Sequence, residues 1–364
     1  SGALSLVKTG AGSQAFTAAS LAYTGTTTIS GGTLDFTKVN FATLAGAVSV
    51  ANGAGLNFAI GGASDYTLAE VLAIRAGTTT LPGLTLGATS AVGVNTANAS
   101  AAIVHADVIA DGAVTGFAKS GAGTLVLTGA NTYAGKTLVT GGILQVGNGG
   151  ATGSLNVASA IEVVGTGAIA FKRDSNLVQG THFAAGISGS GAVIQDGFAY
   201  DFTNPTAANN GVNKLTLSGV NTYSGGTILR NGQIKVTNLN SAGTGALVLE
   251  AGLFDMNNLA LTNALVLRGG RLTNAGNYAG TSGIPAGATF TLDYALPGSI
   301  AVTGDLVIKD GGAITGSTIA IGTAGSTDAT LDLTNLTGNF TIGIESSGSK
   351  FCSFSKFNFC NIAY

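Results

Sequence analysis

Tryptophan is absent from this chain of 364 residues, methionine occurs once and proline four times. Both cysteines, Cys352 and Cys360, fall in the last 13 residues, and residues 1–351 hold none. The body therefore uses neither a disulfide framework nor a cysteine metal site. Charged residues make up only 9%, against about 25% in ordinary globular chains. A chain so poor in charge either hides much of its surface or covers it with Thr, Ser, Asn and Gly, and the composition favours the second. The 15 basic and 17 acidic residues give a net charge of −2 with no basic run. That removes the electrostatic footprint of a nucleic-acid binder and of a polybasic membrane patch. No apolar run approaches the ~18 residues of a membrane-spanning helix. Ser1–Val7 lacks the charged and apolar regions of a secretion signal. The chain opens inside a repeat, and reads as a fragment or a mature domain.

What the chain does have is glycine, 58 residues of it, and a normal 45% of hydrophobic residues, enough for a core. It also repeats itself. The stretch Lys119-Ser-Gly-Ala-Gly123 through Val146 has diverged relatives at Lys8–Phe36 and Lys214–Val236. Tyr23-Thr-Gly25 matches Tyr133-Ala-Gly135 and Tyr223-Ser-Gly225, and Gly31-Gly32 matches Gly141-Gly142 and Asn231-Gly232. Between copies a looser pattern recurs: a short alternating strand, a Gly or Asn turn, another short strand. Val48–Phe58, Ile161–Phe171, Ala246–Phe254, Ala264–Leu272 and Ile300–Ile308 all follow it. Strands of three to five residues cannot bury a core alone, but they can when stacked about 4.8 Å apart.

Two all-β architectures fit: a sandwich or barrel of hairpins, and a parallel β-helix. The β-helix is favoured on three grounds. The repeats run the whole length, the apolar residues are Leu, Ile and Val on one face of each strand, and Thr, Ser and Asn on the other face can form ladders. The expected fold is a single elongated, right-handed parallel β-helix over residues 1–343. One short helical insertion is expected at Thr67–Arg75, where Leu68, Val71, Leu72 and Arg75 have helical spacing and Thr67 with Glu70 forms a capping box. Segments 172–187 and 196–212 are polar and less periodic, and read as projecting loops. Residues 344–364 form an atypical tail, either an end cap or a foreign reading frame.

Few residues invite chemistry. Gly129–Lys136-Thr137 looks like a phosphate loop, but its glycines are one residue too far apart and no helix signal follows. Lys136 is replaced by Thr26 and Gly226 in the other copies. His105 and Asp107 could share a strand face, and a solvated face is the simpler reading. His182 has no acid–base partner nearby in sequence. Gly186–Gly191 misses the spacing of a nucleophile elbow. Asp174, Asp196 and Asp201 with Lys172 and Arg173 are the sparse candidates for a polysaccharide-cleaving groove, and they read better as solubilising charge. Tyr23, Tyr133 and Tyr223 read as packing between coils. No catalytic, cofactor-binding or metal-binding residue is therefore assigned, and no cofactor is expected.

The pattern Lys-[Ser/Thr]-Gly-Ala-Gly-Thr-Leu-x-Leu-[Thr/Ser]-Gly-x-Asn-Thr-Tyr-x-Gly closely resembles the autotransporter-associated β-strand repeat, or passenger-associated transport repeat. Residues 117–147 match nearly throughout. Residues 212–236 match from Lys214, with Asn209–Asn213 in place of the Lys-Ser-Gly-Ala-Gly lead. Residues 4–36 match at both ends, with Ala15–Ala22 replacing the centre. The resemblance implies a β-helical passenger of a type V secreted protein, which crosses the outer membrane extended and folds outside. It implies repeats that aid transit and folding, a cell-surface or extracellular location and a cognate outer-membrane β-barrel translocator. No barrel is present here, so the translocator is expected to be missing, supplied separately or lost with an altered frame after Ser349. The expected role is a non-enzymatic stalk or adhesin that meets host, matrix or cell-surface molecules. The alternative is a β-helix carbohydrate-active enzyme.

Overall fold

A computed structural model of the chain describes residues 3–18, 20–201, 213–257, 259 and 261–267, with further strand segments as far as Leu331–Asp332. It is a parallel β-solenoid of about 11 turns, so the parallel β-helix prevails over the hairpin alternative. Every pairing between its strands is parallel, as it must be when each coil winds in the same direction onto the one before. Thr124 pairs with Ile143 and Gln233 with Leu253, so a plain coil takes about 20 residues.

Four sheets carry the body. The first holds Leu6–Lys8, Thr27–Ile29, Val48–Val50 and Leu84–Leu86. The second runs from Ser13–Ala15 through Thr33–Phe36, Gly55–Ala59, Ala91–Asn95, Phe117–Ser120, Thr137–Val139 and Ile161–Val163 to Ile187–Ser188. The third starts at Ile103–His105 and continues through Thr124–Leu127, Ile143–Val146, Ala168–Phe171, Ala192–Asp196 and Thr227–Asn231 to Leu247–Leu249 and beyond. The fourth starts at Leu177–Val178 and holds Lys214–Leu217, Gln233–Val236, Leu253–Asp255 and Arg271–Thr273.

Alternation along each strand sets the core. Val48 and Val50 are buried while Ser49 is exposed. Leu125 pairs with Leu144, then Ile169, then Val193, so aliphatic side chains stack in columns inside the solenoid. Each fully buried side chain of this size contributes about 1.5–3 kcal/mol, and the column is what makes three-residue strands viable. In the early coils Phe16, Phe36, Phe41, Phe58 and Tyr66 form a chain of ring contacts with centroids 4.7–5.4 Å apart.

Among the described residues two helices interrupt the strands, one more than expected. Helix α1, Lys38–Ala42, is capped by Thr37 and buries Phe41 in the aromatic chain. Its five residues are too few for a periodic signal. Helix α2, Leu68–Ala76, falls where expected, with the reciprocal Thr67–Glu70 capping box formed and Gly77 closing it at φ 79°. The coil that carries α2 takes 36 residues, Val48 to Leu84.

Segment 172–187 is not a projecting loop. Leu177–Val178 opens the fourth sheet, and Leu177, Phe183 and Ile187 are in the core. Of segment 196–212, residues 202–212 lie outside the described residues, as does the tail 344–364. The expected polar ladder on the outer faces is only partly present. On the third sheet the outward positions Val126, Gln145, Ala170, Ile194, Ile228 and Val248 are mostly apolar. Polar outward residues stack on the other sheets: Thr28, Ser49 and Thr85 on the first, Asp35 and Asn57 on the second, and Thr216, Lys235 and Asp255 on the fourth.

Candidate functional site: the locked turns of the repeat

The repeat motif occupies equivalent coils but not equivalent sheets. Thr27–Ile29 and Thr33–Phe36 of copy one lie in the first and second sheets. Thr137–Val139 and Ile143–Val146 of copy two lie in the second and third, and Thr227–Asn231 and Gln233–Val236 of copy three in the third and fourth. Each copy is thus one sheet further on. What the copies share is a strand, a tight glycine turn, a second strand and a closing segment that ends on the tyrosine.

The lysine that leads the motif locks the turn. Lys119 has no exposed surface. Its Nζ donates to the carbonyls of Gly121 at 2.6 Å, Gly123 at 2.6 Å and, one coil on, Gly141 at 2.8 Å. An ammonium has three protons to give, so the group is satisfied without a carboxylate contact. Burial pushes its pKa down to about 7, against the opposing pull of Asp35. Lys8 does the same at a more exposed end, donating to Thr9, Gly10 and Gly31 carbonyls at 2.8, 2.9 and 2.9 Å. The turn leaves no room for a side chain at its second glycine. Gly142 has φ +60°, and a Cβ there would stand 2.3 Å from the Gly121 oxygen and 2.5 Å from Lys119 Nζ.

Copy three has no lysine at its lead, and the structure shows what took its place. Lys119 pairs with Val139, and Gln195 pairs with the matching Leu229. Gln195 Nε2 donates to the Asn213 carbonyl at 2.9 Å, the position Gly123 holds in copy two. Gln195 therefore stands in the fold where Lys119 stands in copy two. The sequence carries no sign of this, because Gln195 is 18 positions from Asn213 whereas Lys119 is four from Gly123.

Two further residues complete the lock. The tyrosine hydroxyl meets the threonine four residues on in all three copies: Tyr23 and Thr27 at 2.5 Å, Tyr133 and Thr137 at 2.7 Å, Tyr223 and Thr227 at 2.6 Å. Tyr133 and Tyr223 are fully buried, which raises both phenols, Tyr133 to about 12. They are packing residues, as expected. The motif asparagine bridges three coils. Asn131 Oδ1 accepts from the Ile109 amide at 3.0 Å, and its Nδ2 donates to the Ser154 carbonyl at 3.0 Å. Asn221 likewise accepts from Ile187 and donates to Ser241. In copy one Leu21 stands at this point, buried as an apolar replacement.

The residues that suggested chemistry are engaged elsewhere. Lys136 forms an ion pair with Glu162 of the next coil at 2.6 Å. Lys172 pairs with Asp196 at 3.3 Å. Arg173 turns away from them, onto the carbonyls of Gly153 and Ala151 and onto Ser175. Asp174 is tied to the Gly150 carbonyl through its backbone, and Asp201 has a polar partner of its own. His182 Nδ1 accepts from the Val178 amide. His105 is lowered by burial, partly opposed by Asp107, and its Nε2 is buried without a partner. Among the described residues no three His, Cys, Asp or Glu side chains come together. Two shallow clefts of about 350 and 330 Å³ are lined mainly by turn backbone and small side chains, one with Lys136 and Glu162, the other with Asp35 and Asn95.

The family profile Passenger-associated-transport-repeat matches residues 6–36, 117–146 and 208–236, which hold the Lys8 and Lys119 locks and all three tyrosine–threonine pairs, while Gln195 lies outside them. The chain is an autotransporter passenger segment. The passenger segment is 31% identical over 274 residues to the Adhesin BmaC autotransporter of Brucella suis biovar 1 (strain 1330). That alignment covers 70% of this chain and 7% of that protein, so the passenger segment spans a small part of the relative's length. No solved structure matches it. As a passenger it belongs at the cell surface or outside the cell, tied to the outer membrane.

Proposed function

We propose that this passenger segment is a non-enzymatic, adhesin-like β-helical stalk, and that its repeats are the places where coils register and lock as the chain folds outside the membrane. The observation that carries the reading is the Lys119 lock. The residues common to the copies close turns and join consecutive coils, and the copies differ where a shared catalytic residue would have to agree. The likeness to an autotransporter adhesin supports a contact role, and the charged residues serve as coil-to-coil pairs or turn ligands. A chain entering from one end must form each coil on the last, so early locking of a turn limits the entropy of the next. The partners of this reading are a cognate outer-membrane β-barrel and molecules of a host, matrix or neighbouring cell surface.

Deleting residues 117–147 from the parent protein, with its translocator present, tests the transport role. The expected result is reduced display of folded passenger, read by protease resistance on intact cells. Normal display of a resistant passenger counts against it. For the contact role, the purified segment should bind cells or matrix without altering polysaccharides. Release of sugar fragments would favour the carbohydrate-active alternative.

A further inference from the structure

The second sheet is not straight. Where Phe117–Ser120 joins Ala91–Asn95, the backbone of Ala118 lies over Gly93, and a Cβ on Gly93 would stand 1.7 Å from the Ala118 oxygen. The sheet folds back there onto its own outer face. Residues of distant coils meet as a result. The hydroxyls of Thr33 and Thr140, 107 positions apart in sequence, lie 3.0 Å from each other. A Cβ on Gly55 would lie 3.3 Å from that of Ala118. Two arms of the solenoid, the coils up to Asn95 and those from Phe117 onward, are packed against each other at this step. Arg75, at the end of α2, holds the connection between them through the carbonyls of Ala110, Thr115 and Gly116.

Asp35 sits in the centre of the joint, 2% exposed. On its own arm it accepts from Ser13 Oγ at 2.8 Å, Asn95 Nδ2 at 2.7 Å and Asn57 Nδ2 at 3.2 Å. From the other arm it accepts from Ser120 Oγ at 2.7 Å. Among the described residues no ion pair reaches it. The charged groups whose fields it feels are Lys8 on its own arm and Lys119 on the other, and both ammoniums are held by turn carbonyls. Burial raises the Asp35 carboxyl above its ordinary range, and its four hydrogen bonds only partly oppose this. Asn57, fully buried, turns its Nδ2 to both Asp35 Oδ1 and Ser120 Oγ, and the hydroxyls of Ser13 and Ser120 can rotate to meet either protonation state of the carboxyl.

We propose that this fold-back is an acid-stabilised elbow: Asp35 holds a proton while the arms are packed together and gives it up as they separate, so the angle between the arms follows pH. A group that binds its proton more tightly when closed favours closure as pH falls, and closure is lost as pH rises through the closed-state pKa. For a passenger outside the cell, the elbow links the direction of the stalk to the acidity around it.

Small-angle scattering of the whole 364-residue chain across about pH 4 to 8 tests this. The maximum dimension should lengthen with rising pH along a one-proton curve. Asp35→Asn, a permanent mimic of the neutral acid, should stay short at every pH, and Gly93→Val should be long at every pH. Ser120→Ala removes a donor that favours the ionised form, and should move the midpoint upward. A constant dimension in the wild-type chain overturns the proposal. So does an Asp35→Asn chain that keeps the wild-type response. If Asp35→Asn fails to fold, an unchanged midpoint in Ser120→Ala overturns it.

Discussion

Replacing Lys119 by Met separates the lock from the lysine that the sequence makes conspicuous. Met keeps most of the aliphatic volume and removes the ammonium. Of the three carbonyls that lose a donor, those of Gly121 and Gly123 are half-buried and regain water, whereas Gly141 is buried one coil away. One buried acceptor left unpaired costs about 1–3 kcal/mol, so the net loss should be about 2 kcal/mol. Lys136 lies in the glycine-lysine-threonine stretch, and its pair with Glu162 is about a third exposed on each side. Lys136→Met should therefore cost less than about 1 kcal/mol. Hydrogen exchange at the amides of 117–120 and 137–139 reads both locally, without assuming that a solenoid unfolds in one step. Lys119→Met should speed their exchange roughly 30-fold, and Lys136→Met by a few-fold at most. Equal effects from the two lysines, or protection unchanged in Lys119→Met, would refute the lock.

Tyr133→Phe and Tyr223→Phe remove one buried hydroxyl each from Thr137 and Thr227, and should each lower stability by about 1–2 kcal/mol in urea unfolding. Thr67→Ala opens the capping box of α2 and should cost about 1 kcal/mol, seen as faster exchange confined to residues 68–76.

Much of the fold is legible in the sequence because its signals are local. Glycine pairs mark the turns, aliphatic alternation marks the strands, and Thr67 with Glu70 marks a helix that forms as read. The turn lock is half legible. The recurring tyrosine points to packing, but nothing nearby in sequence says that Lys119 is buried and Lys136 is not. That difference depends on which side of the strand faces the next coil's turn. Other features are set by distant contacts. Gln195 replaces the repeat lysine from 18 positions before Asn213, and the fold-back depends on a missing side chain at Gly93 and a contact between Thr33 and Thr140. Segment 172–187 looked like a loop because Leu177 and Phe183 are flanked by polar residues and its strand is only two residues long.

The order in which coils become protected during refolding tests the central claim most directly. Pulse-labelled hydrogen exchange on the denatured chain should show 117–120, 137–139, 214–217 and 227–231 protected before the unlocked neighbours at 91–95 and 161–163. Protection that arrives at the same time in all of these strands, or last in the repeat copies, would contradict the view that the repeats lock the passenger's coils as it folds.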